Sequence, residues 1–130
     1  MKIPIQGKSM WPFLRDGDWV DVSLFSEKKE KTKVGNVYLF MDSEKEWIVH
    51  RKIDSSSFSG DWSCCVEKKN EVEVFGEISS FYLNDKKKKI KNGKLDYLMT
   101  FFSKKITKKG NSVFFSRGMI FILGSIKRFL

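Results

Sequence analysis

Through the first two thirds of the chain, apolar and polar residues alternate in short runs; near residue 93 the period changes. "WVDVSLF" (19–25) alternates as a half-buried strand does, and residues 3–5 form a shorter strand candidate leading into Gly7. "VYLFM" (37–41) and "EWIVHRKI" (46–53) are two apolar strands around "DSEK", a hairpin-like order. "EVEVFGEISSFYLN" (71–84) is rich in strand formers, with a predicted break at Gly76. Between them, "SEKKEKTKVGN" (26–36) and "DSSSFSGD" (54–61) read as polar loops, and "NDKKKKIKNG" (84–93) as a charged turn. After Gly93, Leu95, Leu98, Met99 and Phe102 fall at helical spacing, as do Met119, Ile122, Leu123, Ile126, Phe129 and Leu130. Two short helices joined by "KKGNS" (108–112) are expected. The predicted fold is mainly β: a curved antiparallel β body over residues 1–93, then a basic amphipathic helical tail over 94–130 packed on or beside it, in a single domain.

Composition supports this plan. A chain of 130 residues suffices for one domain with a modest core. Phe is abundant at 12 residues and Ala is absent, which lowers helix propensity and favours strands. The formal net charge is +9, from 25 Lys+Arg against 16 Asp+Glu, with the excess in "KKKK" (86–89) and the C-terminal third. Such a balance suits a solvated basic surface or an anionic membrane. No DNA-binding motif accompanies it, so no nucleic-acid partner is expected. Cys64 and Cys65 are adjacent, a poor geometry for a bridge, and no second pair offers a zinc site. Reduced thiols and a location in the cytoplasm or peripheral to a membrane are expected. No run approaches the ~20 apolar residues that span a bilayer, and no signal peptide is evident at the N-terminus. The longest apolar run, "GMIFILGSI" (118–126), could lie on a membrane, helped by Lys104, Lys105, Lys108, Lys109, Arg117, Lys127 and Arg128. The same segment equally fits a helical cap on the core.

Candidate chemistry begins at Ser9, in "QGKSMWPFLRDGDWVDV" (6–22). A serine hydroxyl needs a nearby base to act as a nucleophile at neutral pH. The chain offers a single histidine, His50, within "WIVHRKI", and a neutral imidazole is the usual partner. Alone, a strand histidine or a serine before Met-Trp-Pro is more often structural; in combination they carry a pattern. "GKSMWPFLRDGDWVDV", "VGNVYLF" and "WIVHRKI" together resemble the S24/S26 serine peptidase superfamily, which includes signal peptidases and LexA-like repressors. The resemblance covers roughly residues 3–83, and His50-Arg51 is similar to the histidine form found in archaeal and endoplasmic-reticulum signal peptidases.

The resemblance implies a serine endopeptidase of signal-peptidase-like type, without metal or cofactor, acting on an extended peptide or leader segment. Ser9 would be the nucleophile, His50 the general base, and the backbone N–H of Ser9 an oxyanion donor. Gly7 stands where many signal peptidases place a second oxyanion-hole serine, as in LexA-like proteins. Gly7, Met10 and Pro12 are candidate substrate-binding positions, and Pro12 and Leu14 are expected to shape the segment after the nucleophile. Asp61 is a candidate third catalytic residue, orienting His50, with Glu67 a second candidate acid. Asp18 fits a turn after Gly17, and Arg51 a structural ion-pair partner. Two alternatives remain: a peptide-binding module without catalysis, and a self-cleaving LexA-like regulator. The second lacks both an Ala-Gly or Cys-Gly cleavage dipeptide and an N-terminal DNA-binding domain.

Overall fold

A computed structural model describes residues 1–26, 31–62, 66–107 and 113–130. Cys64, Cys65, Lys108, Lys109 and the linker at 108–112 lie outside the described residues. Among the described residues there are eight strands: β1 (Lys2–Pro4), β2 (Trp19–Leu24), β3 (Val37–Met41), β4 (Trp47–Lys52), β5 (Ser57–Ser59), β6 (Val66–Lys68), β7 (Glu73–Leu83) and β8 (Lys86–Lys89). Two helices follow, α1 (Lys94–Thr107) and α2 (Val113–Phe129). All strand pairs are antiparallel, in one open sheet of order β1-β2-β7-β3-β4-β5-β6, with β8 on β7. The mainly β fold with a helical C-terminal segment is therefore as the sequence predicts.

The period-2 alternation of β3 explains why this strand is central. Val37 and Leu39 enter the main core with Met10, Phe13 and Leu14, while Tyr38 and Phe40 enter a smaller core with Phe58 on the opposite face. Register shifts between Asp21 and Val22 and between Leu39 and Phe40 add local twist. The sheet curls strongly. In a flat sheet β1 and β4, four positions apart, would be separated by about 19 Å, yet residues of both line one cleft.

Gly76 does not break β7; the strand runs through it. A Cβ there would lie 2.5 Å from the Ser23 carbonyl oxygen and 2.8 Å from Val22 Cγ1, so glycine answers the close approach of β2. Three strands escape the sequence pattern: β5 inside a predicted loop, β6, and β8 inside the predicted charged turn.

The helices cap the sheet. On α1, Leu95, Met99 and Phe102 face the main core; on α2, Ile120 and Leu123 do so. Of the basic residues expected to support membrane contact, Lys127 and Arg128 instead point inward, to Asp96 and Asp18. The inner faces of both helices are thus part of the core, with their outer faces left to solvent.

Candidate active site

Ser9 sits on a loop that leaves β1 and returns to β2. Its base is closed by Ile5 N–H donating to the Asp18 carbonyl (2.7 Å) and Gly17 N–H donating to the Ile5 carbonyl (2.9 Å). Buried Met10, Phe13 and Leu14 plug the loop into the core. Gly7, at φ +82°, donates its N–H to Asp16 Oδ1 at 2.7 Å. The Ser9 carbonyl accepts from Trp62 N–H at 2.8 Å, which ties the loop to the segment after β5. A loop held at its base, at its tip and by its buried residues presents Ser9 from a fixed backbone.

His50 lies on β4, opposite Tyr38, with its ring edge-on to Phe40 at 6.1 Å. Its Nδ1 is 2.8 Å from Glu67 Oε2, and both side chains are largely buried, at 6% and 15% exposure. The register explains the meeting. Glu67 on β6 pairs with Phe58 on β5, and Phe58 with Lys52 on β4, so Glu67 shares the face that His50 occupies. A carboxylate that accepts a hydrogen bond from Nδ1–H favours the tautomer with its proton on Nδ1, which leaves Nε2 as the free base. Ser9 and His50 both line a cleft of about 800 Å³, with Glu67, Met10 and Leu39. No hydrogen bond joins Ser9 to His50 among the described residues, an arrangement common in substrate-free sites.

Asp61 corrects the sequence expectation. Its two oxygens take the Arg51 guanidinium at 2.8 and 3.0 Å, and both side chains are fully buried. Arg51 follows His50 on a strand and so points to the other face, and Asp61 is on that face. The acid beside His50 is Glu67. Arg51 is the structural ion-pair partner that its position suggests. It also donates to the Gly35 carbonyl (2.6 Å) and to Asp96 (2.8 Å), and Asp96 in turn holds Lys127 at 2.6 and 2.7 Å. Burial acts to lower the Arg51 pKa, but Asp61 and then Asp96 outweigh it and raise the pKa above the ordinary value. Asp96 is shifted down: burial opposes ionisation, and Arg51 and Lys127 overcome it.

The remaining expected residues divide. Met10 lines the cleft. Pro12, preceded by a cis peptide bond, packs under α2 instead: a Cβ on Gly124 would come within 3.0 Å of its ring, so its contacts are with the helix. Gly7 lies between the cleft residues Gln6 and Ser9. Asp18 accepts from Arg15 N–H and pairs with Arg128, a structural role. Sequence reasoning missed the apolar walls, Ile3, Ile5, Trp47 and Val49, whose alternation within β strands was the available signal. Comparison with known proteins adds no family: no protein-family model, no curated protein and no solved structure matches the chain.

Proposed function

We propose that the protein is a serine endopeptidase of signal-peptidase-like type, with Ser9 as nucleophile, His50 as base and Glu67 as the acid that orients His50. The observation that carries this reading is the shared cleft: the chain's one histidine and Ser9 line the same cavity, and a half-buried carboxylate meets the histidine's Nδ1. Ser9 Oγ would attack the scissile carbonyl as Nε2 takes its proton, and the imidazolium would then protonate the leaving amine. Glu67 stabilises that cation while it exists. The Ser9 backbone N–H is the proposed donor to the developing oxyanion.

Sheet edges give the substrate its place. Among the described residues, β1 pairs only with β2, and β5 covers β4 only at Arg51 and Lys52, while Trp47 to His50 of β4 line the cleft. An extended peptide can add to such edges through its main chain while alternate side chains enter apolar pockets. Ile3, Ile5, Ile48 and Val49 favour apolar side chains there.

The test is cleavage of a synthetic peptide library followed by mass spectrometry. The wild-type protein should produce a reproducible set of cuts that Ser9→Ala and His50→Ala both abolish. The double variant should be scarcely worse than either single one, since the two residues act as a unit. Cuts that persist in Ser9→Ala refute the assignment. Peptide binding by wild type and Ser9→Ala alike, with no cuts in either, would leave a peptide-binding module.

A further inference from the structure

The two helices bury one face and leave the other apolar. On α1 the outward residues Tyr97, Leu98 and Phe101 occupy adjacent turns of one side. On α2, Phe115, Ile122, Ile126 and Phe129 follow one another at helical spacing along the outer side. These seven side chains are between 44% and 68% exposed. The helices run antiparallel, since Phe102 meets Phe115 at one end and Asp96 meets Lys127 at the other. Phe102, buried beneath, touches both Phe101 (5.3 Å) and Phe115 (6.1 Å), so the two stripes approach each other at that end. An apolar face of this kind marks an interaction site.

Charge identifies what it meets. Residues 1–85 carry 12 Lys+Arg and 15 Asp+Glu, whereas residues 86–130 carry 13 Lys+Arg and one acid, Asp96. That acid is buried against Arg51 and Lys127, so the outer face of the helices presents no carboxylate. Lys94 and Lys105 stand on the same side of α1 as Tyr97, Leu98 and Phe101, with Lys105 Nζ 4.6 Å from the Phe101 ring. The basic strand β8 leads directly into this end, where the Lys91 carbonyl accepts from Lys127. The positive excess of the chain therefore lies in the part of the sequence that carries this apolar face.

We propose that this face lies on an anionic lipid bilayer, with the outward aromatic and aliphatic side chains in the interface and the lysines at the headgroups. A second copy of the chain would satisfy the apolar stripe but bring two strongly basic surfaces together. A bilayer supplies apolar contact and negative charge at once. The catalytic loop abuts this helix: the rings of Trp11 and Phe121 are 5.2 Å apart.

The test is flotation of the full chain with vesicles of phosphatidylcholine alone, or with about 30% phosphatidylglycerol. The chain should float with the anionic vesicles, weakly or not at all with the neutral ones, and less as salt is raised. Replacing Tyr97, Leu98, Ile122 and Ile126 together by Ser should lower the partitioning by about tenfold or more. Circular dichroism and thermal melting show whether that variant is folded. If it is not, Lys94→Glu with Lys105→Glu, on an exposed and a half-buried position, must show the same loss. Equal flotation of wild type and folded variants overturns the proposal, as does failure of the wild type to bind anionic vesicles. A dimer in sedimentation that these substitutions dissociate, without vesicle binding, assigns the face to a second copy. Ser9→Ala should float as wild type does, so the result stands apart from the peptidase reading.

Discussion

His50 and Arg51 are neighbours in sequence with opposite surroundings. Strand alternation sends His50 to the face of Tyr38 and Phe40, where Glu67 meets it, and Arg51 to the face of Phe13, where Asp61 meets it. Ser9 and His50, which line one cleft, were candidates from residue type and family-like order. Glu67 ranked behind Asp61 as the candidate acid, because the choice between them depends on the three-residue strand β6 and its register with β5, neither of which has an apolar signature. Glu67→Gln should lower turnover by about a hundredfold or more while the fold persists, since a neutral amide neither fixes the tautomer nor stabilises the imidazolium. Ring ¹⁵N shifts of the chain's one histidine provide the second readout. They should report Nδ1–H in the wild type and a tautomer mixture in Glu67→Gln. Unchanged turnover with an unchanged tautomer would remove Glu67 from the site.

Elements with strong apolar alternation could be read from the chain, and those without it could not. β2, β3 and β4 carry Val, Leu, Phe and Ile on one or both faces, whereas β8 is four lysines held by pairing to the end of β7. The local signal for β8 was the dipeptide Asn84-Asp85: both residues adopt positive φ, 51° and 61°, as a two-residue hairpin turn demands. Helix α2 was legible as amphipathic but its seat was not, because the sequence does not show that Gly124 lies against Pro12. Gly124→Val should therefore cost about 1–3 kcal/mol by forcing the helix from the Pro12 ring. Urea denaturation measures that loss. Because Pro12 lies three residues from Ser9, the variant should also cleave more slowly than its folded fraction accounts for.

At the scale of the whole molecule, β4 and the C-terminal helices share one buried charge network: Asp61, Arg51, Asp96 and Lys127 in sequence of contact. No sequence pattern announces it, since its members come from β4, the segment after β5, α1 and α2. Truncation at residue 112 would remove Lys127 along with the core residues Ile120 and Leu123, so the shortened chain should fail to fold. The network also makes stability depend on acid pH. Burial acts to raise the Asp96 pKa, but Arg51 and Lys127 outweigh it and hold the folded value below 3.8. Between the folded and unfolded values the unfolded chain binds more protons, so this contribution is complete above the unfolded value and is lost as pH falls through the folded one. Asp96→Asn leaves two buried cations without that carboxylate and should cost about 3–5 kcal/mol at pH 7. The gap between wild type and variant should narrow as pH falls below about 4, where the Asp96 carboxyl of the unfolded chain begins to protonate. Urea midpoints of both proteins at neutral and acid pH check this directly. A gap that stays constant across the range would mean that Asp96 contributes through packing alone.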